Sequence, residues 1–346
     1  MFTFEQMLKP IWDTSIVYGE SFTMHRDENG GMSARFLYEP EEILEVTSAN
    51  RECLYSEGRD FIIDGDRLVL AENTRIPFME YEEVYMKEPL PGRCFPYPGG
   101  YSLFNEGHFF HDRQIAVTYR CKRGAWNGYV PTYCGDILHR TVRKLTEEKY
   151  LKVVLFGDSI SAGANASGMT LATPFQPSFG DLFAENLRRT FDADVDFLNP
   201  SVGGKDSVWG METLDERVIA HSPDLVILAF GMNGNYTPDL FESHIRNMVD
   251  RIKAANCGTE IILIATSTPN PILTDPRAPF WSYQYLYGEA LQKLEGDGIA
   301  LLDMGALQKE LHKNKRFIDT TGNHVNHPND FFIRIHAQAL SAMLIK

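Results

Sequence analysis

Cysteine is scarce and irregularly placed in this chain. The five residues Cys53, Cys94, Cys121, Cys134 and Cys257 are odd in number, widely spaced and form no C-x-x-C pair. That argues against a disulfide framework and against a zinc site, and reduced thiols are the expectation. Basic residues are in deficit as well: 33 Lys and Arg stand against 47 Asp and Glu, a formal charge of −14. Nucleic acid and anionic membrane both need a basic face, so neither is expected as a partner. No apolar run approaches the ~18 residues of a membrane helix. The segment Met1 to Ser15 has no basic start followed by an apolar stretch, so no signal peptide is read there, and the expected compartment is the cytoplasm.

What is present is the composition of an ordinary globular protein, 43% hydrophobic and 12% aromatic. At 346 residues the chain exceeds what one hydrophobic core usually serves, so two domains are expected. Residues 1–135 carry short β-favouring runs separated by turn clusters. Examples are Ile16-Val17-Tyr18, Ala34 to Tyr38, Ile43 to Thr47 and Ile115 to Arg120. Phe61 to Ile63 and Arg67 to Leu70 flank Asp64-Gly65-Asp66 and read as a hairpin. Many strands with no convincing helix predict a β-sandwich. Residues 136–150, with a short helical pattern over Leu138 to Leu145, form the expected join.

From 151 to 346 strands and helices alternate, the pattern of a parallel α/β sheet. Five strands are expected, at Val153 to Phe156, Val195 to Leu198, Leu225 to Phe230, Ile261 to Ile264 and Ile299 to Leu302. Helices are expected over Thr213 to Ala220, from an N-cap at Thr237 to Ala255, around Tyr285 to Leu294, and from His327-Pro328-Asn329-Asp330 toward Leu344.

In open α/β sheets ligands bind at the carboxyl ends of strands. Here those ends carry distinctive groups. The first strand delivers Asp158 and Ser159, the second Asn199 to Gly204, the third Gly231-Met232-Asn233-Gly234, and His324 and His327 precede the last helix. A hydroxyl nucleophile, a backbone N–H at a glycine, an amide and an imidazole on one rim are the components of acyl transfer. The bland reading of Ser159 is a helix cap. Gly157 to Gly163 lacks the G-x-G-x-x-G spacing of a dinucleotide site. His108 and His111 have no third metal ligand in sight.

These four blocks resemble, in order, those of the SGNH (GDSL-type) hydrolase family, over the span from Leu151 to the carboxyl terminus. The β-rich first half gives the whole a likeness to the layout of family-two carbohydrate esterases. The resemblance implies a flavodoxin-like three-layer hydrolase domain at 151–346 behind a jelly-roll-like sandwich. It implies Ser159 as nucleophile, His327 as base, and an oxyanion hole formed by Ser159 N–H, Gly204 N–H and the Asn233 amide. It further implies no cofactor and no metal, and a small-molecule or carbohydrate ester, an O-acetyl group foremost, as substrate. An acyl-CoA thioesterase, a lipid-directed esterase or a non-catalytic sugar-binding protein are the alternatives.

The family usually carries Asp three residues before its histidine; this chain has His324 there. Asp319 or a backbone carbonyl is left to orient His327, and His324 is read as a solvent-facing loop residue. Gly234 stands where the family commonly has Asp. Trp209 and the aromatics Phe280, Trp281, Tyr283, Tyr285 and Tyr287 either line a pocket or belong to the core.

Overall fold

The computed structural model describes residues 2–273 and 281–346. The first half contains β1 (Ile16–Thr23), β2 (Ser33–Arg35), β3 (Pro40–Ser48), β4 (Phe61–Asp64), β5 (Arg67–Leu70), β6 (Tyr85–Met86), β7 (Cys94–Tyr97), β8 (Gly100–Leu103) and β9 (Gln114–Cys121). They form three antiparallel three-stranded sheets, ordered β1-β9-β3, β2-β5-β4 and β6-β8-β7. Phe22 of β1 and Tyr119 of β9 both meet Phe36, which follows β2, edge to face, so the first two sheets share one apolar interior. The hairpin expected around Asp64-Gly65-Asp66 is β4–β5.

The second half is built on β10 (Tyr150–Gly157), β11 (Asp194–Leu198), β12 (Leu225–Ala229), β13 (Glu260–Ala265) and β14 (Ile299–Asp303). All pair in parallel, in the order β11-β10-β12-β13-β14. This is the flavodoxin-like 2-1-3-4-5 arrangement, and its strand order reverses between β10 and β12. Side chains alternate across the sheet as the period of two requires. Val153, Leu155, Leu225, Ile227, Ile262 and Ile264 face one core with the helices Phe179–Phe191 and Asp330–Ala342. Val154, Phe156, Val226, Leu228, Ile261 and Leu263 face the other, with the helices Ser207–Arg217, Pro238–Ala255 and Tyr287–Gln292.

Helix boundaries follow capping more than apolar spacing. The helix expected from Thr213 begins at Ser207 because Asp206 accepts the Trp209 N–H at 3.0 Å. Pro238 opens its helix as expected, yet the Thr237 hydroxyl makes no capping bond. The last helix begins at Asp330, capped by Asn329, and is buried on every side from Asp330 to Ser341. It lies between the parallel sheet and the β-rich half, where Arg334 donates to Gln176 Oε1 and to the carbonyls of Tyr18 and Gly19. All five cysteines are free. No helix among the described residues is long and apolar enough to cross a membrane.

Candidate active site

The apolar run of β10 ends at Gly157, where a Cβ would strike the Ala229 carbonyl of β12 and the Ser161 hydroxyl. Glycine therefore lets the chain turn while staying against its neighbour, and Asp158 and Ser159 follow at the point where the strand order reverses. Asp158 is buried; its carboxyl accepts the Ile160 N–H at 3.0 Å and the Met232 N–H at 3.3 Å. Burial pushes its pKa up to about 6. The Asp158 side chain thus ties the turn after β10 to the turn after β12.

The turn after β11 is tied in as well. Asn199 Nδ2 donates to Ser161 O at 2.8 Å, and Val202 N–H to Gly157 O at 3.3 Å. Gly204 has φ +73°, a backbone that few side chains tolerate. Asn233 Nδ2 donates to the carbonyl of Lys205, the residue after Gly204, at 3.0 Å. Neither the Ser159 nor the Gly204 N–H donates to another described residue.

Ser159 Oγ lies 2.9 Å from His327 Nε2, although 168 residues separate the two in sequence. His327 sits in a loop organised by buried Asn323. The Asn323 Oδ1 accepts the N–H groups of Val325, Asn326 and His327 at 2.9, 3.0 and 3.1 Å. Thr321 pairs with Pro328 across the loop, and its hydroxyl donates to His327 O at 2.8 Å. The four residues named from sequence, Ser159, Gly204, Asn233 and His327, thus lie on turns that brace one another.

Two expectations about the histidine loop fail. Asp319 does not face His327. Its carboxylate is taken by Arg316, at 2.8 and 3.0 Å, and by the Thr23 N–H at 2.9 Å. His324 is not solvent-facing either: it is 1% exposed. Its φ of +65° turns it into the β-rich half, where Nδ1 lies 3.2 Å from Leu103 O and the ring packs on Tyr85 and Phe110, with Phe317 of its own half also against it. Burial pushes its pKa down to about 3.

The groups at His327 Nδ1 are two that sequence reasoning missed. Asn165 Oδ1 lies at 2.7 Å and Glu106 Oε2 at 3.3 Å. Glu106 follows β8, and Asn165 lies in the loop after Ser159 with φ +63°. Neither stands in a spacing that marks chemistry; both reach the ring only through the tertiary fold.

The model of the GDSL-like lipase/acylhydrolase family matches residues 155–331, just over half of the chain. The chain belongs to that family. A relative, the arylesterase of Vibrio mimicus, is 26% identical over 121 residues, which is 34% of this chain and 56% of that protein. The chain therefore spans little more than half the length of that curated relative. Among solved structures, a variant of an acetylxylan esterase from Geobacillus stearothermophilus superposes with a TM-score of 0.45 at 19% identity, over 55% of this chain and 91% of that one. A two-domain esterase active on acetylated mannans gives 0.48 at 18% identity, over 63% and 56%.

Beside Asn233 this GDSL-family chain has an open pocket of about 270 Å³, lined by Phe95, Met232, Asn233, Gly234 and Trp281. Trp281 and Phe95 meet edge to face at 5.5 Å, so one wall comes from each half of the chain. The other aromatics divide. Tyr287 stacks on Phe241 in the core, Tyr285 is exposed, and Trp209 packs on Phe156 and Phe230. Phe280 lies outside the described residues. His108 pairs with Asp112, and His111 contacts Thr173 O. Among the described residues no cluster of three or more metal-ligating side chains occurs.

Proposed function

We propose that the protein is a serine esterase that hydrolyses small carboxylic esters, with an O-acetyl group on a carbohydrate as the substrate class. The observation that carries this reading is the 2.9 Å contact between Ser159 Oγ and His327 Nε2 at the reversal of the strand order. With Nδ1 protonated, Nε2 accepts the hydroxyl proton as Oγ attacks the ester carbonyl carbon. The Ser159 and Gly204 N–H groups and the Asn233 amide then stabilise the oxyanion. Collapse expels the alcohol, which takes its proton from His327 and leaves acyl-Ser159. Water, deprotonated by the same imidazole, attacks the acyl carbon, and the carboxylic acid leaves as Ser159 regains its proton.

The pocket beside Asn233 supports a small ester, because the Phe95 and Trp281 rings wall it. The carbohydrate part rests on the likeness of the two-part layout to family-two carbohydrate esterases. A non-catalytic sugar-binding role drew its appeal from the missing Asp before His327. That appeal weakens now that Asn165 and Glu106 occupy Nδ1.

Hydrolysis of p-nitrophenyl esters of increasing acyl length, followed by acetylated oligosaccharides, tests the substrate. Acetate is expected to run fastest; octanoate running faster than acetate contradicts the small-acyl assignment.

A further inference from the structure

We propose that Glu106 and Asn165 together replace the aspartate that the family places before its histidine, Asn165 fixing the His327 ring and Glu106 supplying the balancing charge. This rests on the esterase reading above. It also makes the β-rich half, which carries Glu106, a working part of the site.

The Asn165 amide has one orientation available. Its Nδ2 donates to Gly107 O at 2.8 Å and to Gly322 O at 3.2 Å, so Oδ1 is the atom turned to His327 Nδ1. An acceptor there keeps the proton on Nδ1 and leaves the Nε2 lone pair facing the Ser159 hydroxyl. Asn165 is neutral, however, and cannot balance the imidazolium that forms when Ser159 gives up its proton.

Glu106 can. Its carboxylate is held at both oxygens: Oε1 accepts from Asn323 Nδ2 at 3.2 Å, and Oε2 faces His327 Nδ1 at 3.3 Å. Asn323 also fixes the His327 backbone, so charge and ring are positioned by one residue. Partial burial pushes the Glu106 pKa up, but His327, Asn323 and Asn165 outweigh it and hold the carboxyl below the ordinary glutamate range. It is therefore ionised when His327 must be neutral.

Other ionisable groups near the loop are engaged elsewhere. Asp158 accepts the Ile160 and Met232 N–H groups, Asp330 accepts the Ser167 N–H, Asp319 is paired with Arg316, and His324 faces Leu103. Among the described residues, Glu106 is the carboxylate in ion-pair range of His327. In the reaction the Ser159 proton moves to Nε2, while the Nδ1 proton stays on the ring and is transferred to neither partner.

The test combines an NMR titration of the His327 imidazole in resting enzyme with kcat and KM for p-nitrophenyl acetate, in wild type, Glu106→Gln, Asn165→Asp and the double variant. Glu106 is half exposed, so its amide variant is expected to fold. In Glu106→Gln the titration midpoint is expected to fall, because the opposite charge beside the imidazolium is lost. The acid limb of the kcat profile follows it. Plateau kcat falls about tenfold, part of the ~10²–10⁴ a general base contributes, with KM within about twofold. Asn165→Asp keeps an acceptor at Nδ1 but turns its second carboxylate oxygen onto the Gly107 and Gly322 carbonyls that Nδ2 had held, so kcat is expected to fall in both backgrounds; full rescue of Glu106→Gln by Asn165→Asp overturns the division of roles. A midpoint identical in wild type and Glu106→Gln, or a loss carried by KM, overturns the assignment. The titration is read without substrate, so it judges Glu106 even if wild type hydrolyses no ester, an outcome that sinks the esterase reading alone.

Discussion

Glu20 on β1 and Lys315 in the loop before the histidine loop meet at 2.7 Å with neither side chain exposed. The pair joins the β-rich half to the parallel-sheet half and is satisfied on both sides. Glu20 also accepts from Tyr119 Oη at 2.6 Å and the Leu37 N–H at 3.0 Å, and Lys315 Nζ donates to Arg35 O at 3.0 Å. Removing one partner strands the other charge in the interior. Lys315→Met is expected to cost about 3–5 kcal/mol by urea denaturation. Adding Glu20→Leu recovers only part of that, because Tyr119 and Leu37 are left with unpaired donors. A single variant as stable as wild type contradicts a shared, cooperative interior.

Stability is expected to fall as pH drops below neutrality. Burial pushes His324 down to about 3 and His312 and His336 down to about 4. Below the ordinary histidine value, ~6.5, the unfolded chain binds protons that these folded residues refuse, so stability rises with pH across that window. His25 and His244, also lowered by burial, add to this, while Asp158, pushed up to about 6, and Glu20 and Asp303, raised by burial, act in the opposite sense. His324→Asn, which tolerates a left-handed backbone, should make the slope of Tm between pH 6.5 and 5 shallower. An unchanged slope means that His324 titrates normally.

Asn233→Ala is expected to lower kcat for p-nitrophenyl acetate by ~10²–10³ with little change in KM, the usual cost of one oxyanion donor. Asn233 is partly buried and its side chain holds, among the described residues, only Lys205 O, so the fold should survive. A KM effect with kcat intact would place the amide in substrate binding instead.

Much of this was legible in the sequence because buried parallel strands read as apolar runs. Val153 to Phe156, Leu225 to Phe230 and Ile261 to Ile264 needed no other signal. Three of the four site blocks could be placed because each follows a strand, and the fourth, with His327, because it precedes the last helix. Legibility ended where tertiary contacts decide. Strands β7 and β8 are short and carry Pro96 and Gly100, which read as turn. The helix Met304–Leu311 follows β14 with no loop, since Asp303 both ends the strand and caps the helix at Ala306. Glu106 lies 221 residues from His327 and Asn165 lies 162 away, distances that no local pattern spans. His324 occupied the expected aspartate position in sequence, but its left-handed backbone sent the side chain into the other half.

The most direct measurement is p-nitrophenyl acetate hydrolysis by wild type, Ser159→Ala and His327→Ala, together with fluorophosphonate labelling of each. Turnover and labelling at Ser159 are expected in wild type, with activity lower by orders of magnitude in both variants and no label in Ser159→Ala. Equal rates in all three proteins, with wild type unlabelled, would contradict the serine esterase reading.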